Sequence, residues 1–351
     1  MLLSLLTISN KVKLKVNCIF TKKIITMKTY NWAILGCGRI AKKFAADLQL
    51  LPNANLYATA SRSLEKSQEF ATEFNFQKAY GSYQEMVEDK TVDIVYIATP
   101  HSFHLEHASL CLNHKKAVLC EKAFAMNEKE VSSMISCAKK NDSFLMEAFW
   151  TRFNPAFLKV LAIIKTKELG ELKHVKCDFK FFAEFDAQHR LFNKDLGGGS
   201  LLDIGIYPVF TSLMTLGIPD DIIINATLGA TKVDEELEML FQYNNGTSAN
   251  LASGFTCNAF NDSEFYFTKG SVRISRELHR PLLIGKKGNI EEHHFDYKGL
   301  GYENEAAHLM QCLDEGRKES PMLPLDFSLS LIKTLDRIRK LAGVHYPNHD
   351  N

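Results

Sequence analysis

The stretch AILGCGRIA, residues 33–41, decides how the chain is read. An apolar run ends at Leu35, a glycine-rich gap follows, and helix-forming residues begin at Arg39. Gly36-Cys37-Gly38-Arg39-Ile40-Ala41 fits the pattern G-x-G-x-x-G/A, which carries meaning only where a strand feeds a helix. There Gly36 permits the tight turn, Gly38 lets the backbone approach a pyrophosphate, and Ala41 lets the helix lie close to the strand. Arg39 and Ile40 then begin a helix whose first N–H groups and partial positive charge face the phosphates. The alternative is a glycine turn with a structural role alone.

The surroundings favour the first reading. Residues 27–150 alternate short β-rich apolar runs (31–35, 55–60, 92–98, 117–120 and 143–148) with amphipathic stretches (39–50, 64–74, 82–88, 103–113 and 128–140). That alternation predicts an α/β fold, a dinucleotide-binding domain with a parallel sheet and crossover helices. The second run ends ATASRSLEK, with Ser61, Arg62 and Ser63 where an NAD-preferring chain usually holds Asp or Glu for the ribose 2′-hydroxyl. A guanidinium there suits a 2′-phosphate, so NADP(H) is the expected cofactor. If Arg62 is only a solvated loop residue, NAD or dual use remains open.

The texture changes after Trp150. In residues 151–351 a helix over about 156–168 is followed by long alternating strands and few helices. Runs 237–243 and 247–255 flank NNG, a hairpin signal because Asn-Gly supplies the positive φ angles of a tight turn. Runs 265–268 and 272–275 flank KG, runs 282–284 and 290–295 flank GKKGN, and 303–315 and 326–341 read as closing helices. The prediction is an α+β domain with one large, mostly antiparallel open sheet covered by helices on one face. Its bare face predicts a homodimer.

Reactive residues gather just past strand ends, where open α/β sheets bind ligands. ATPHSFH places Thr99, Pro100, His101 and His104 to shape a nicotinamide-ribose pocket, although His104 also reads as a helix-start residue satisfied by backbone. CEKAFAMN puts Glu121 and Lys122 at the sheet edge. A partly desolvated lysine there can hydrogen-bond a substrate oxygen and help move a proton, which a solvated surface lysine would not do. MEAFWTRFNP sets Trp150 and Arg152 either beside the cofactor and substrate or in the junction's core. In LGGGSLLDIGIYPV, residues 196–209, three glycines precede a helix carrying Asp203 and Tyr207 four apart, hence on one face. On that reading Asp203 accepts a hydrogen bond from a substrate hydroxyl, and Tyr207 exchanges the proton as carbon gives hydride to NADP+, with Lys122 easing the phenol's proton loss. An ordinary helix cap with an incidental pair is the other reading.

Composition narrows the partners. A chain of 351 residues suits two domains. A hydrophobic share of 46%, a charged share of 24% and a formal net charge of +1 leave no electrostatic footprint for nucleic acid or an anionic membrane, so a small polar molecule is expected. Eight cysteines at irregular spacing, with no C-x-x-C pair and no zinc-like Cys/His cluster, read as free thiols of a reducing, cytoplasmic compartment, and no metal is expected. Residues 1–26 hold five lysines and no acid, and their opening apolar run is too short to cross a bilayer. They read as a disordered N-terminal extension before a start at Met27, with organelle targeting as the alternative.

Six segments, GCGRIA, ATPHSFHLEHA, CEKAFAMN, MEAFWTRFNPAF, HRLFNKDLGGGSLLDIGIYPV and GYENEAAHLMQCLDEGRKESP, occur in the order seen in the glucose-fructose oxidoreductase / inositol dehydrogenase (Gfo/Idh/MocA) family. From about Met27 to its end the chain resembles that family, and within it the branch of dimeric dihydrodiol dehydrogenase and NADP-dependent D-xylose 1-dehydrogenase. The resemblance implies an N-terminal Rossmann domain, a C-terminal α+β domain that dimerises through its open sheet face, and oxidation of a cyclic hydroxyl with NADP+. By matching positions it makes Lys122 and Tyr207 the catalytic pair with Asp203 in support, and makes His189, Arg190 and Trp150 substrate-pocket residues. Many members carry histidine where Tyr207 stands, so tyrosine points to the dihydrodiol and xylose branch. The family usually has proline after the Glu-Lys pair; Ala123 stands here instead and predicts a looser loop around Lys122.

The expectation is therefore an NADP-dependent dehydrogenase acting on a small cyclic polyol, a trans-1,2-dihydrodiol or an aldopyranose such as D-xylose. NADPH-dependent reduction of a keto-sugar of the 1,5-anhydrofructose type and inositol oxidation are the other enzyme readings. A regulatory module that binds NADP(H) without turnover is the non-enzyme one.

Overall fold

Six parallel strands make the first sheet: β1 (Tyr30–Leu35), β2 (Ala54–Ala60), β3 (Lys78–Tyr80), β4 (Ile94–Ile97), β5 (Ala117–Glu121) and β6 (Leu145–Ala148), in the order β3-β2-β1-β4-β5-β6. They belong to a computed structural model that describes residues 28–350, so the expectation for residues 1–26 lies outside the described residues. Helices α1 (Arg39–Leu48), α2 (Leu64–Phe74), α3 (Tyr83–Glu88), α4 (His104–Asn113) and α5 (Glu128–Lys140) make the crossovers. Every residue of β4, β5 and β6 is buried, which is why these strands read as unbroken apolar runs. Strand β3 escaped the pattern because three residues, Lys-Ala-Tyr, are too few to show a period. The strand order reverses between β1 and β4, and that reversal opens a crevice at the carboxyl ends of both.

The chain leaves this sheet through α6 (Pro155–Thr166), which has Asn154 capping its first N–H groups and Pro155 in its first turn, where the missing donor costs nothing. An eight-stranded sheet follows. Its strands are β7 (Leu172–Lys180), β8 (Asp221–Leu228), β9 (Asp234–Gln242), β10 (Ser248–Gly254), β11 (Asp262–Phe267), β12 (Gly270–Ser275), β13 (Leu282–Lys286) and β14 (Asn289–His293). They lie in the order β14-β13-β12-β11-β7-β10-β9-β8, and β7 beside β10 is the parallel pair among antiparallel neighbours. The β9–β10 hairpin turns at the Asn-Asn-Gly sequence.

One row of this sheet, with Val175, Cys177, Leu237, Met239, Phe241, Ala249, Leu251 and Phe265, is buried against helices. The other row carries Lys176, Lys180, Glu236, Glu238 and Glu264, cross-linked by ion pairs. Helix α7 (Ile206–Leu216) lies on β7 and β10 and is apolar all round, as a helix covered on every side must be. Helix α8 (Tyr302–Asp314) returns to α1, and α9 (Leu325–Ala342) bridges β8 to α5 and β6. The Asp47 carboxylate on α1 fixes that return by accepting the Leu300 and Tyr302 N–H groups at 2.8 and 2.9 Å.

Buried acids mark the floor below the crevice. Glu305 on α8 is fully buried, and among the described residues neither of its carboxyl oxygens has a hydrogen-bond partner. Burial, joined by the charges of Glu121 and Asp47, lifts its pKa well above the ordinary carboxylate value. Burial likewise pushes Glu147 up to about 7. A carboxyl that ionises less readily folded than unfolded contributes stability at low pH and loses it as pH rises past the unfolded value. Glu305→Gln keeps the neutral shape without the proton. Scanning calorimetry is expected to show the variant melting a few degrees above wild type at pH 8 and alongside it near pH 4; a variant that melts lower at pH 8 contradicts this.

Candidate active site

The crevice is a cleft of about 550 Å³ with one wall from each half of the chain. Its first wall begins at the glycine turn. Gly36 has φ of +97°, and a Cβ there would stand 3.0 Å from Thr99 Cγ2 and 3.1 Å from the Ala98 carbonyl carbon, so glycine is required. Gly38 caps α1 without a side chain, and a Cβ on it would meet nothing nearer than the Ala98 oxygen at 4.0 Å. The space before the first N–H groups of α1 is therefore open, and Arg39, Ile40 and Lys43 line it with Thr99 and Pro100. An uncapped helix N-terminus flanked by two cations fits a dinucleotide pyrophosphate.

Lys122 enters from the end of β5. Its Nζ donates to the Asp203 carbonyl at 2.6 Å, stands 3.5 Å from Asp203 Oδ1, and lies 5.1 Å from the centroid of the Tyr207 ring. Burial would lower the Lys122 ammonium, but Tyr207, Asp203 and Glu121 outweigh it and raise the pKa, so the lysine is held as a cation. Arg190 grips Asp203 at two points, Nη1 to Oδ1 at 2.9 Å and Nη2 to Oδ2 at 3.2 Å. Burial works to raise Asp203 as well; the charges of Lys122 and Arg190 overcome it and keep the carboxyl well below its usual range. Tyr207 is wedged edge-on between Phe149 and Phe179, with ring centroids 5.2 and 5.7 Å away.

The residues expected to form one helical face instead straddle a junction. Leu201–Gly205 is a π-type turn, and α7 starts at Ile206. Pro208 has no N–H to offer the Ile204 carbonyl, so a regular ladder cannot run through this point. Asp203 and Tyr207 still both face the cleft. The turn is pinned before it begins. Gly197 has φ of +75°, and a Cβ would collide with His101 Nε2, which sits 2.7 Å from the Gly197 oxygen. Burial lowers His101 to about 4, so its ring is neutral and donates to that carbonyl from Nε2.

Several expected contacts are corrected. His104 does not reach the cleft: it is fully buried, with Nδ1 2.8 Å from the Ala123 oxygen and Nε2 2.9 Å from the Thr99 oxygen, and because burial lowers it to about 4 the neutral ring donates its one N–H to backbone, as in the backbone-satisfied alternative. That same clasp answers the expectation of a looser loop, for Ala123 is buried and its carbonyl is held; the Lys122–Ala123 peptide is cis. Arg152 points away from the cleft and donates from Nε to the Met322 oxygen at 2.6 Å. His189 is exposed in a turn, its Nδ1 accepting the Leu191 N–H. Trp150 lines a small hollow behind Tyr207 rather than the cleft itself. Ser63 caps α2 through Lys66 N–H, and Ser61 is half-buried beside it. Arg62 is exposed and borders a separate hollow with Tyr83 and His107. Glu121 does line the cleft, accepts the Tyr96 hydroxyl, and is pushed up to about 6 by burial.

Phe179, Phe181, Lys43, Tyr302 and Arg276 line the cleft without having been singled out from sequence. For Arg276 a signal existed: in Val272-Arg273-Ile274-Ser275-Arg276, strand alternation carries it to the same side as Val272 and Ile274.

Comparison with known proteins agrees with this architecture. The model of the GFO/IDH/MocA oxidoreductase family with NAD-binding Rossmann fold matches residues 30–149, and the GFO/IDH/MocA C-terminal domain matches residues 157–273. A trans-1,2-dihydrobenzene-1,2-diol dehydrogenase of Xenopus tropicalis is 35% identical over 331 residues, covering 90% of this chain and 99% of that one. Among solved structures, levoglucosan dehydrogenase in complex with NADH and L-sorbose superposes with a TM-score of 0.83 at 19% identity, over 90% of this chain and 97% of that one. KijD10, a 3-ketoreductase from Actinomadura kijaniata with bound NADP, does so with a TM-score of 0.79 at 23% identity, over 89% and 98%. At such identities the two structures speak for the fold.

The two glycines of the turn are expected to fail differently. Gly38→Val has room for its side chain in the folded chain but fills the phosphate space, so its melting temperature should stay near wild type while NADPH affinity in a fluorescence titration falls at least about tenfold. Gly36→Val should lower the melting temperature itself, through the positive φ and the Thr99 contact. Unchanged NADPH affinity in Gly38→Val contradicts the placement of the pyrophosphate.

Proposed function

The chain belongs to the Gfo/Idh/MocA oxidoreductase family, and from that membership we propose that it oxidises a ring hydroxyl of a small cyclic polyol, a trans-1,2-dihydrodiol or an aldopyranose such as D-xylose, with NADP+. It is a nicotinamide-dinucleotide dehydrogenase of CH–OH groups. The observation that carries the finer reading is the meeting of Lys122, Asp203 and Tyr207 with the open N-terminus of α1 in a single cleft.

A bound dinucleotide would supply the acceptor for the hydride that leaves the carbinol carbon. The remaining work falls to this chain's own side chains. The first N–H groups of α1 and Arg39 would hold the pyrophosphate. The Lys122 ammonium, fixed by the Asp203 carbonyl, donates a hydrogen bond to the substrate oxygen, and Tyr207, braced by Phe149 and Phe179 and acting as its phenolate, takes the hydroxyl proton and becomes the phenol. Asp203 acts through Lys122, because Arg190 and Lys122 already share its oxygens. The cations opposite the phosphates lower the cost of bringing a polyanion into the cleft.

The choice of NADP rests on Arg62. Strand β2 ends without an acid, and the exposed guanidinium beside Tyr83 and His107 is free to meet a 2′-phosphate. The reading also takes a second copy of the chain across the outward row of the large sheet, where Ile223 and Tyr266 stand exposed among charges.

Tyr207→Phe and Lys122→Met are each expected to lower kcat about 10²- to 10⁴-fold while NADPH affinity stays within a few-fold. Near-normal turnover in either purified variant overturns the assigned roles. Arg62→Ala should weaken NADP+ about 10- to 100-fold and leave NAD+ unchanged; equal losses for both dinucleotides would remove Arg62 from the 2′-phosphate site.

A further inference from the structure

Arg276 follows β12 and extends its inward row beyond Val272 and Ile274. A cation at the end of an apolar row is out of place unless something meets it. Its guanidinium carbon lies 3.5 Å from the Phe179 ring centroid and 4.2 Å from that of Tyr207, with Trp150 at 6.0 Å. The residue is half-buried and borders both the cleft and the hollow behind Tyr207. Among the described residues it has no ion pair and no hydrogen bond.

A guanidinium carries five N–H donors, and among the described residues none of those on Arg276 meets an acceptor. The other charges of the cleft are already committed. Lys122 and Arg190 share Asp203, the Tyr96 hydroxyl holds Glu121, and Arg39 and Lys43 stand on α1 beside the phosphate space. At the Tyr207 end of the cleft, one pre-oriented cation therefore remains without a counter-charge.

We propose that Arg276 is a specificity-determining residue that binds a carboxylate on the substrate ring, so that the preferred polyol is a sugar acid of the hexuronate kind. The proposal rests on the dehydrogenase reading above and names the substrate that the Lys122–Tyr207 pair meets. A planar carboxylate matches the guanidinium edge at two points, and such charge-assisted pairs are the strong ones in a partly desolvated site. Because Arg276 stacks on the ring of Tyr207 itself, a carboxylate bound to it sets the distance from the acid group to the hydroxyl that Tyr207 deprotonates. A neutral pyranose fills the same space and leaves the guanidinium edge unmatched.

Binding and turnover are read separately. With saturating NADP+, the chain is titrated calorimetrically with D-glucuronate and D-galacturonate and with the matching neutral hexoses, and NADPH formation is followed in parallel. Wild type is expected to favour a uronate over its hexose by about tenfold or more. That ratio should collapse in Arg276→Gln and recover in part in Arg276→Lys, both variants keeping wild-type melting temperatures. A wild-type ratio near one, or a ratio untouched by Arg276→Gln, overturns the proposal. Uronate binding without NADPH formation supports the anion site and contradicts the roles of Lys122 and Tyr207; NADPH formation from neutral hexoses alone does the reverse.

Discussion

One buried carboxylate, Asp203, is shared by two cations that reach it from different parts of the chain. Lys122 arrives from the end of β5 in the first sheet, Arg190 from the loop that follows β7, and Asp203 itself from the π-type turn above the second sheet. Charges taken out of water are tolerated when they are paired and hydrogen-bonded, and removing one member leaves the others exposed to the full penalty. The two halves of the molecule are thereby tied across the cleft between them.

The turn that presents Asp203 is held from every side. His101 fastens Gly197, the Tyr346 hydroxyl donates to the Gly198 oxygen at 2.6 Å, and Asp234 accepts the Leu201 N–H at 2.6 Å and the Ser200 hydroxyl at 2.9 Å. Its partner loop, residues 121–126, is enclosed in the same way, with His104 clasping Ala123 from beneath. Side chains that sequence alone would send into a ligand pocket are thus spent on holding two short backbone segments at a fixed separation. Such support is what a proton-transferring pair requires, because misplacement by about 1 Å costs catalytic rate steeply.

Much of the fold is legible in the sequence because both halves write their periods plainly. The alternation around Gly36 and Gly38, the Asn-Asn-Gly hairpin and the amphipathic α5 and α9 each state their structure locally. Strand β3 is too short to do so. At the site, Lys122, Asp203 and Tyr207 stand out by residue type, while their neighbours divide less predictably. His104 follows the cleft residues Thr99, Pro100 and His101, and Arg152 follows a strand end, yet both side chains turn to backbone carbonyls, those of Ala123 and Met322, a choice set by packing from elsewhere in the chain. Arg276 shows the opposite case. It lies in no recognisable motif, and only the parity of β12 together with the placement of Phe179 and Tyr207 brings it to the cleft.

The central claim is that an alcohol bound beside the nicotinamide has its oxygen between the Tyr207 hydroxyl and the Lys122 ammonium. A crystal structure of the chain with NADP+ and a non-oxidised substrate analogue tests it most directly. The account predicts the analogue's hydroxyl oxygen within about 2.6–3.2 Å of both Tyr207 Oη and Lys122 Nζ. An analogue seated with that oxygen against neither group, while the dinucleotide occupies the cleft before α1, would contradict it.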